Sequence, residues 1–212
     1  QATDAFERFE REARLLAARA RVLRHHRETG NREPELGALL ALARATRDHD
    51  TATACKALGD AAALAHELGD DGAQGDALNS LGILQWQAGQ LEDGLSSYSA
   101  ALEVFVAAND ARHQGLILNS LGIVLRDLGR TDEARQRFAQ ALEVNWGVGE
   151  RLTEGHSLAG LGDIAVGDED HAAALDYYRQ SLNLRQSIGD VAGEGRMLVK
   201  CAEEALAMDD PK

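Results

Sequence analysis

The stretch GLILNSLGIVLRDLGRTDEARQRFAQALEVNWGVG, Gly115–Gly149, decides the fold because its pattern recurs at one fixed spacing on both sides. Gly75, Gly115, Gly155 and Gly195 stand 40 positions apart, as do Leu78, Leu118, Leu158 and Leu198. The pairs Leu81-Gly82, Leu121-Gly122 and Leu161-Gly162 keep the step, and so do the rings Tyr98, Phe138 and Tyr178 and the leucines Leu102, Leu142 and Leu182. A constant period of this length marks an array in which each unit buries its apolar face only by stacking on its neighbours. The function class that follows is a scaffold binding something along an extended surface.

Composition points to helix throughout. There are two prolines, Pro34 and Pro211, and 4% aromatic residues, against abundant Ala, Leu, Glu and Arg, which are strong helix formers. No strands are expected. The formal charge of -13 argues against a nucleic-acid surface, which needs clustered Lys and Arg to displace counterions from phosphates. Residues 1–32 run the other way, with eight Arg against five acids, which reads as a solvated basic face. Cys55 and Cys201 lie far apart on apolar helical faces, so buried free thiols are expected rather than a disulfide. No apolar run approaches the roughly 20 residues needed to cross a bilayer, and no signal peptide is present, which predicts no membrane partner and a cytoplasmic location. The start at Gln1 reads as a piece excised from a longer protein, and 19 Arg against three Lys points to a GC-rich bacterial genome.

Taken in order, the chain predicts an N-terminal helix within residues 1–31, with Phe6, Phe9, Ala13, Leu16, Ala20 and Leu23 on one stripe, ended by Gly30 in a left-handed conformation. This helix reads as the second half of a truncated repeat. Residues 32–208 divide into repeats at about 32–70, 71–110, 111–150 and 151–190, followed by a capping helix at 192–208; about ten helices are expected. The first repeat opens with a helix from Glu35 behind Pro34. Leading helices fall near 72–88, 112–128 and 152–167, and trailing helices near 91–108, 131–148 and 170–188. The turns Gly69-Asp70, Asn109-Asp110, Gly149-Glu150 and Gly189-Asp190 pair a residue that tolerates positive φ with an acid suited to the next helix's N-terminus. Glycines 82, 122 and 162 sit mid-helix, where each costs about 0.5 to 1 kcal/mol relative to alanine. Their recurrence predicts a close helix approach against Gly94, Ala134 and Ala174 and against Ala101, Ala141 and Ser181.

Leu121-Gly122, Ala134, Phe138 and Ala141-Leu142 together resemble the tetratricopeptide repeat, and the resemblance covers residues 35–208. The usual period is about 34 residues. The longer step here is similar to the variant in spindle-orientation adaptors, kinesin light chains and sensor domains of bacterial regulators, and IGDVAGEGRML (Ile188–Leu198) looks most like the spindle-adaptor type. Gln85, Leu125 and Ala165 replace the family's tyrosine, and its closing proline is missing. The resemblance implies a right-handed superhelix of antiparallel helix pairs whose leading helices line a concave groove. Carried onto this chain, the groove positions are Asn79, Ile83, Trp86 and Gln87, then Asn119, Ile123, Arg126 and Asp127, then Ala159, Asp163, Val166 and Gly167, and finally Arg196, Val199 and Glu203. Trp86 and Arg126 would anchor a partner peptide, with Asn79 and Asn119 gripping its backbone. The competing reading is that Ile83 and Ile123 merely pack between helices. A carboxylate clamp is disfavoured by Asp127, Asp163 and Glu203.

Chemistry is not indicated. The seven histidines show no pair at four-residue helical spacing and no cysteine partner, so no metal site is expected, and Asp168-Glu169-Asp170-His171 reads as a turn with helix-start charges. No phosphate loop or nucleophile elbow occurs, so no cofactor and no catalysis are expected. The reading is a non-catalytic interaction scaffold for a protein or peptide. The alternative is a sensor domain of a larger bacterial regulator that binds an effector or its own neighbouring domain. Met197, Leu198, Cys201, Ala205 and Leu206 make the last helix broadly apolar, which predicts self-association through an array end.

Overall fold

The computed structural model describes residues 17–209. Phe6, Phe9, Ala13 and Leu16, placed on the expected first helix, lie outside the described residues. Within them the chain is all-α: α1 covers residues 17–29, followed by α2 (Arg32–Thr46), α3 (Thr51–Leu68), α4 (Asp71–Gln87), α5 (Leu91–Ala107), α6 (Ala111–Asp127), α7 (Thr131–Val148), α8 (Arg151–Gly167), α9 (His171–Ile188) and α10 (Val191–Asp209). Connections of two to four residues force successive helices antiparallel. The first leading helix begins at Arg32, earlier than expected. Pro34 still falls in its first turn, where the amide hydrogen it lacks has no intrahelical acceptor.

The turns follow from their chemistry. Gly69, Asn109, Gly149 and Gly189 take φ values of 71°, 55°, 76° and 73°, and each is followed by a backbone bond that closes the helix end, such as Asp70 N to Ala65 O at 2.9 Å. The next residue then caps the following helix. Asp70, Asp110 and Asp190 accept from the amides of Ala73, His113 and Gly193 at 2.9, 3.1 and 2.9 Å. Glu150, one methylene longer, makes no such cap and pairs with Arg112 instead. The turns inside the repeats place Gly89, Gly129 and Glu169 at φ 77°, 74° and 60°, so one repeat carries a side chain where its siblings carry none.

The chain forms two compact units, Gln1–Val104 and Phe105–Lys212, with α5 contributing to both. In the first, α2 packs on α3 and α3 on α4. Ala54, Ala57, Ala61, Ala62 and Ala65 of α3 are buried, and their short side chains let both neighbours approach, with Leu36, Leu39, Leu58, Leu64 and Leu84 filling the space. Arg27 ties α1 to both α2 and α3, donating to Glu35 at 2.9 Å and Asp60 at 2.8 Å. Tyr98 lies over Gly82, and Gly94 stands against the Gly82 carbonyl.

In the second unit α6 to α10 pack each on the next. Phe138 is fully buried between Gly122 of α6 and Gly160 of α8, while Tyr178 covers Gly162. The mid-helix glycines are therefore seats for rings, a more specific reason than close backbone approach alone. One register position at the end of each trailing helix is filled in three ways. Phe105 stacks on the His113 ring at 4.6 Å, Arg185 donates to Asp190 at 2.6 Å, and Asn145 is fully buried with neither amide atom partnered.

Candidate functional site

A cleft of about 510 Å³ opens in the first unit between α2 and α4, floored by Leu58 of α3. Its walls are apolar through Leu40 and Ala43 on α2 and Ala73, Ile83 and Leu84 on α4. Polar groups stand among them: Arg44 and Arg47 from α2, and Asp76, Asn79 and Ser80 from α4. The α2 residues 40, 43, 44 and 47 fall at the three-and-four spacing that puts them on one helix face. Asn79 presents a buried side-chain oxygen with no hydrogen-bond donor. Asp76 has an interaction of its own.

Two of the sequence-predicted residues, Asn79 and Ile83, meet on this cleft. Trp86, half-buried and already engaged, and Gln87, exposed, continue along α4 without lining it. The remaining predicted residues belong to the second unit. Asn119 is buried and accepts from Ser157 Oγ at 3.1 Å, so its oxygen holds α6 to α8. Ile123 is half-buried, and Arg196 is exposed on α10. Arg126 and Asp163 bind each other: Arg126 Nη1 donates to Asp163 at 2.7 Å while Nε and Nη2 donate to Asp127 at 3.2 and 3.0 Å. Asp163 also accepts from Tyr178 Oη at 2.8 Å and Lys200 Nζ at 2.7 Å. Arg126, expected to anchor a partner peptide, thus has two carboxylates of its own chain. Burial, then the Asp163 hydrogen bond, pushes the Tyr178 phenol well above its ordinary value.

The cleft residues of α2 were not among the predicted site. A signal existed: stepping back 40 positions from Ile83 and Gln87 lands on Ala43 and Arg47. Lys200 had no such signal, because Gly160 precedes it at that step. Cys55 and Cys201 are free and half-buried, and burial raises both thiols, which disfavours the nucleophilic thiolate. Among the described residues no group of three or more His, Cys, Asp or Glu could hold a metal ion, and no helix is long and apolar enough to cross a membrane.

The tetratricopeptide repeat profile matches residues 73–146 and 116–187, which together span more than half of the 212 residues. The chain belongs to the tetratricopeptide repeat family. Among curated proteins none matches its sequence significantly. Solved structures match the fold. BtubC (BKLC) from P. vanneervenii superposes with a TM-score of 0.69 at 16% identity, covering 95% of each chain. A Podosopora anserina protein of kinesin light chain type with nearly identical TPR-like repeats gives 0.68 at 11% identity, over 88% of this chain and 92% of that one. A Signal Transduction ATPase with Numerous Domains carrying a tetratricopeptide repeat sensor, from Pyrococcus horikoshii, gives 0.73 at 16% identity over 82% of this chain. This chain spans only 27% of that protein's length. At such identities the likeness establishes the tetratricopeptide solenoid of antiparallel helix pairs, and the site must be argued from this chain's own residues.

Proposed function

We propose that the chain is a non-catalytic interaction domain that takes a peptide or helix of a protein partner on the face built by its leading helices, anchored at the cleft between α2 and α4. The observation that carries this reading is the meeting of Ile83 with Asn79 on that cleft: an apolar wall beside an amide whose oxygen has no donor. A peptide supplies both an apolar side chain and a backbone N–H. In the first unit the site is Asn79 and Ile83, extended by Trp86 and Gln87; in the second, Asn119, Ile123, Arg126, Asp163 and Arg196 form a further stretch, with Arg126 and Asp163 acting as a pair. The division into an N-terminal helix, four repeats and a final helix over residues 192–208, and a cytoplasmic setting, belong to the same proposal.

The likeness to a signalling ATPase that carries a tetratricopeptide sensor, together with a cleft of single-ligand size, favours a second reading as the sensor part of a larger regulator. Self-association through α10 is also proposed: of the expected stripe Leu198 and Leu206 are 50 and 69% exposed, with Val191 and Val199 beside them at 77 and 57%, while Met197 is buried. A light-scattering mass that stays at one chain over a wide concentration range would remove that part.

The test of the main reading is selection of binders from a random peptide library, followed by affinity measurement against Ile83→Asp and Asn79→Ala. Loss of at least about tenfold in both variants supports the reading, since truncating a buried anchor of this kind costs about 1.4 kcal/mol or more. Peptides that bind both variants unchanged would place the site elsewhere.

A further inference from the structure

Two kinds of unmet bonding capacity belong to residues that line the cleft of the first unit. The first is charge. Arg44 is exposed on the cleft wall and forms no ion pair or hydrogen bond with any described residue. Arg47, one turn further on the same face, has only a loose contact of 3.4 Å with the exposed Asp48. Asp76, the cleft's one carboxylate, has an interaction of its own. In a chain of net charge -13, two guanidinium groups against one carboxylate on the cleft lining make a local excess of positive charge. The second is the side-chain oxygen of Asn79, shielded from solvent and without a donor. A buried acceptor left unpaired costs about 1 to 3 kcal/mol, so a donor supplied by an occupant is stabilising. Between these polar groups lie Leu40, Leu58, Ile83 and Leu84.

An open cleft of about 510 Å³ is of the size that holds one small organic molecule. The three features together specify its chemistry. We propose that the cleft binds a small amphipathic carboxylic acid carrying one N–H donor, of which an N-acyl amino acid is the simplest case. The carboxylate lies on Arg44 and Arg47, the amide N–H donates to Asn79, and the acyl chain packs on Leu40, Ile83 and Leu84. Guanidinium suits the charged end because its fork of donors matches a carboxylate and stays protonated at any physiological pH. This inference rests on the cleft being the binding site and replaces a chain segment with a free small molecule as its occupant.

The experiment is isothermal titration calorimetry of the full chain with three probes: N-octanoylglycine, its uncharged analogue octanoylglycinamide, and octanoate, which lacks the N–H. Saturable binding of one N-octanoylglycine per chain is expected, with each analogue weaker by about tenfold or more. In Arg44→Gln/Arg47→Gln the advantage of the acid over its amide should vanish, while the affinity for the amide itself stays unchanged. In Asn79→Leu the advantage of N-octanoylglycine over octanoate should vanish. Circular dichroism of each variant establishes that it is folded, and the exposed arginines make the double variant the safer of the two. Equal binding of acid and amide overturns the proposal, as does an arginine variant that keeps full preference for the acid. If N-octanoylglycine fails to bind while a library peptide binds in an Ile83-dependent way, the small-molecule inference falls and the peptide reading stands. If neither binds, both fall.

Discussion

Phe138 lies so close over Gly122 that a β-carbon built on the glycine would stand 2.6 Å from the ring. The ring is hemmed in by a second glycine as well, because a β-carbon on Gly160 would stand 2.5 Å from it. Overpacking of this kind costs about 1 to 3 kcal/mol. Gly122→Ala is therefore expected to lower the melting temperature by several degrees despite alanine's better helix propensity. Gly59, mid-helix in α3 with nothing within 4 Å of its would-be β-carbon, is the control: Gly59→Ala should stabilise by about 0.5 to 1 kcal/mol. Thermal denaturation in which both variants shift the same way would show that ring seating does not explain the recurrent glycines.

Glu169 holds φ at 60°, where Gly89 and Gly129 of the sibling repeats hold 77° and 74°. An L-residue in that region is strained by about 1 to 2 kcal/mol, part of which glycine's extra unfolded-state entropy cancels. Glu169→Gly should raise stability by about 0.5 to 1 kcal/mol, read as a shift of the urea midpoint at unchanged slope. A midpoint that falls would mean the glutamate carries a stabilising interaction larger than its backbone strain.

Asn145 is fully buried with both amide atoms unpartnered, pressed against Gly115 of α6. Leucine branches at the same carbon and has no polar atoms to desolvate, and burying an unbonded amide costs about 1 to 3 kcal/mol. Asn145→Leu is expected to raise the melting temperature. A marked loss of stability would instead identify a buried water bound to the amide, whose bonds the leucine cannot replace.

Tyr178 supplies the pH dependence. Burial, then its bond to Asp163, raises the folded-state value above that of the unfolded chain, so the neutral phenol is favoured by folding. Its contribution is fully present below about pH 10, the ordinary tyrosine value, and declines as pH rises beyond it, because the unfolded state then loses a proton that the folded state keeps. Stability measured from pH 9 to 11.5 should fall, and fall less steeply in Tyr178→Phe. Identical slopes for the two proteins would show that Tyr178 ionises in the folded state as readily as in the unfolded chain.

The architecture was legible because it is periodic and local. Leu121-Gly122 with Phe138, repeated at 40-residue steps, announced paired helices, and Gly69-Asp70 and its siblings announced the turns; each signal depends on a few neighbouring residues and the sequence states it three or four times. Tertiary structure decided what occurs once. That Arg126 would be taken by Asp163, beyond its neighbour Asp127, depends on where α8 lies against α6, which the period does not encode. That Arg44 would be left over, facing Asn79 across a cavity, depends on what α3 places between α2 and α4. Phe105, Asn145 and Arg185 share one register position, yet one stacks, one is stranded and one is paired, because the partner comes from a different helix or turn each time. Sequence by itself determined the repeat and the helices, since hydrophobic periodicity and turn chemistry act within a helix pair, whereas the seating of the rings on the glycines came from the tertiary structure. Which of the charged groups on facing helices were paired and which were left unpaired was decided only by helix-to-helix registry, because a pair such as Arg126–Asp163 is set by ångström-scale distances between residues 37 positions apart.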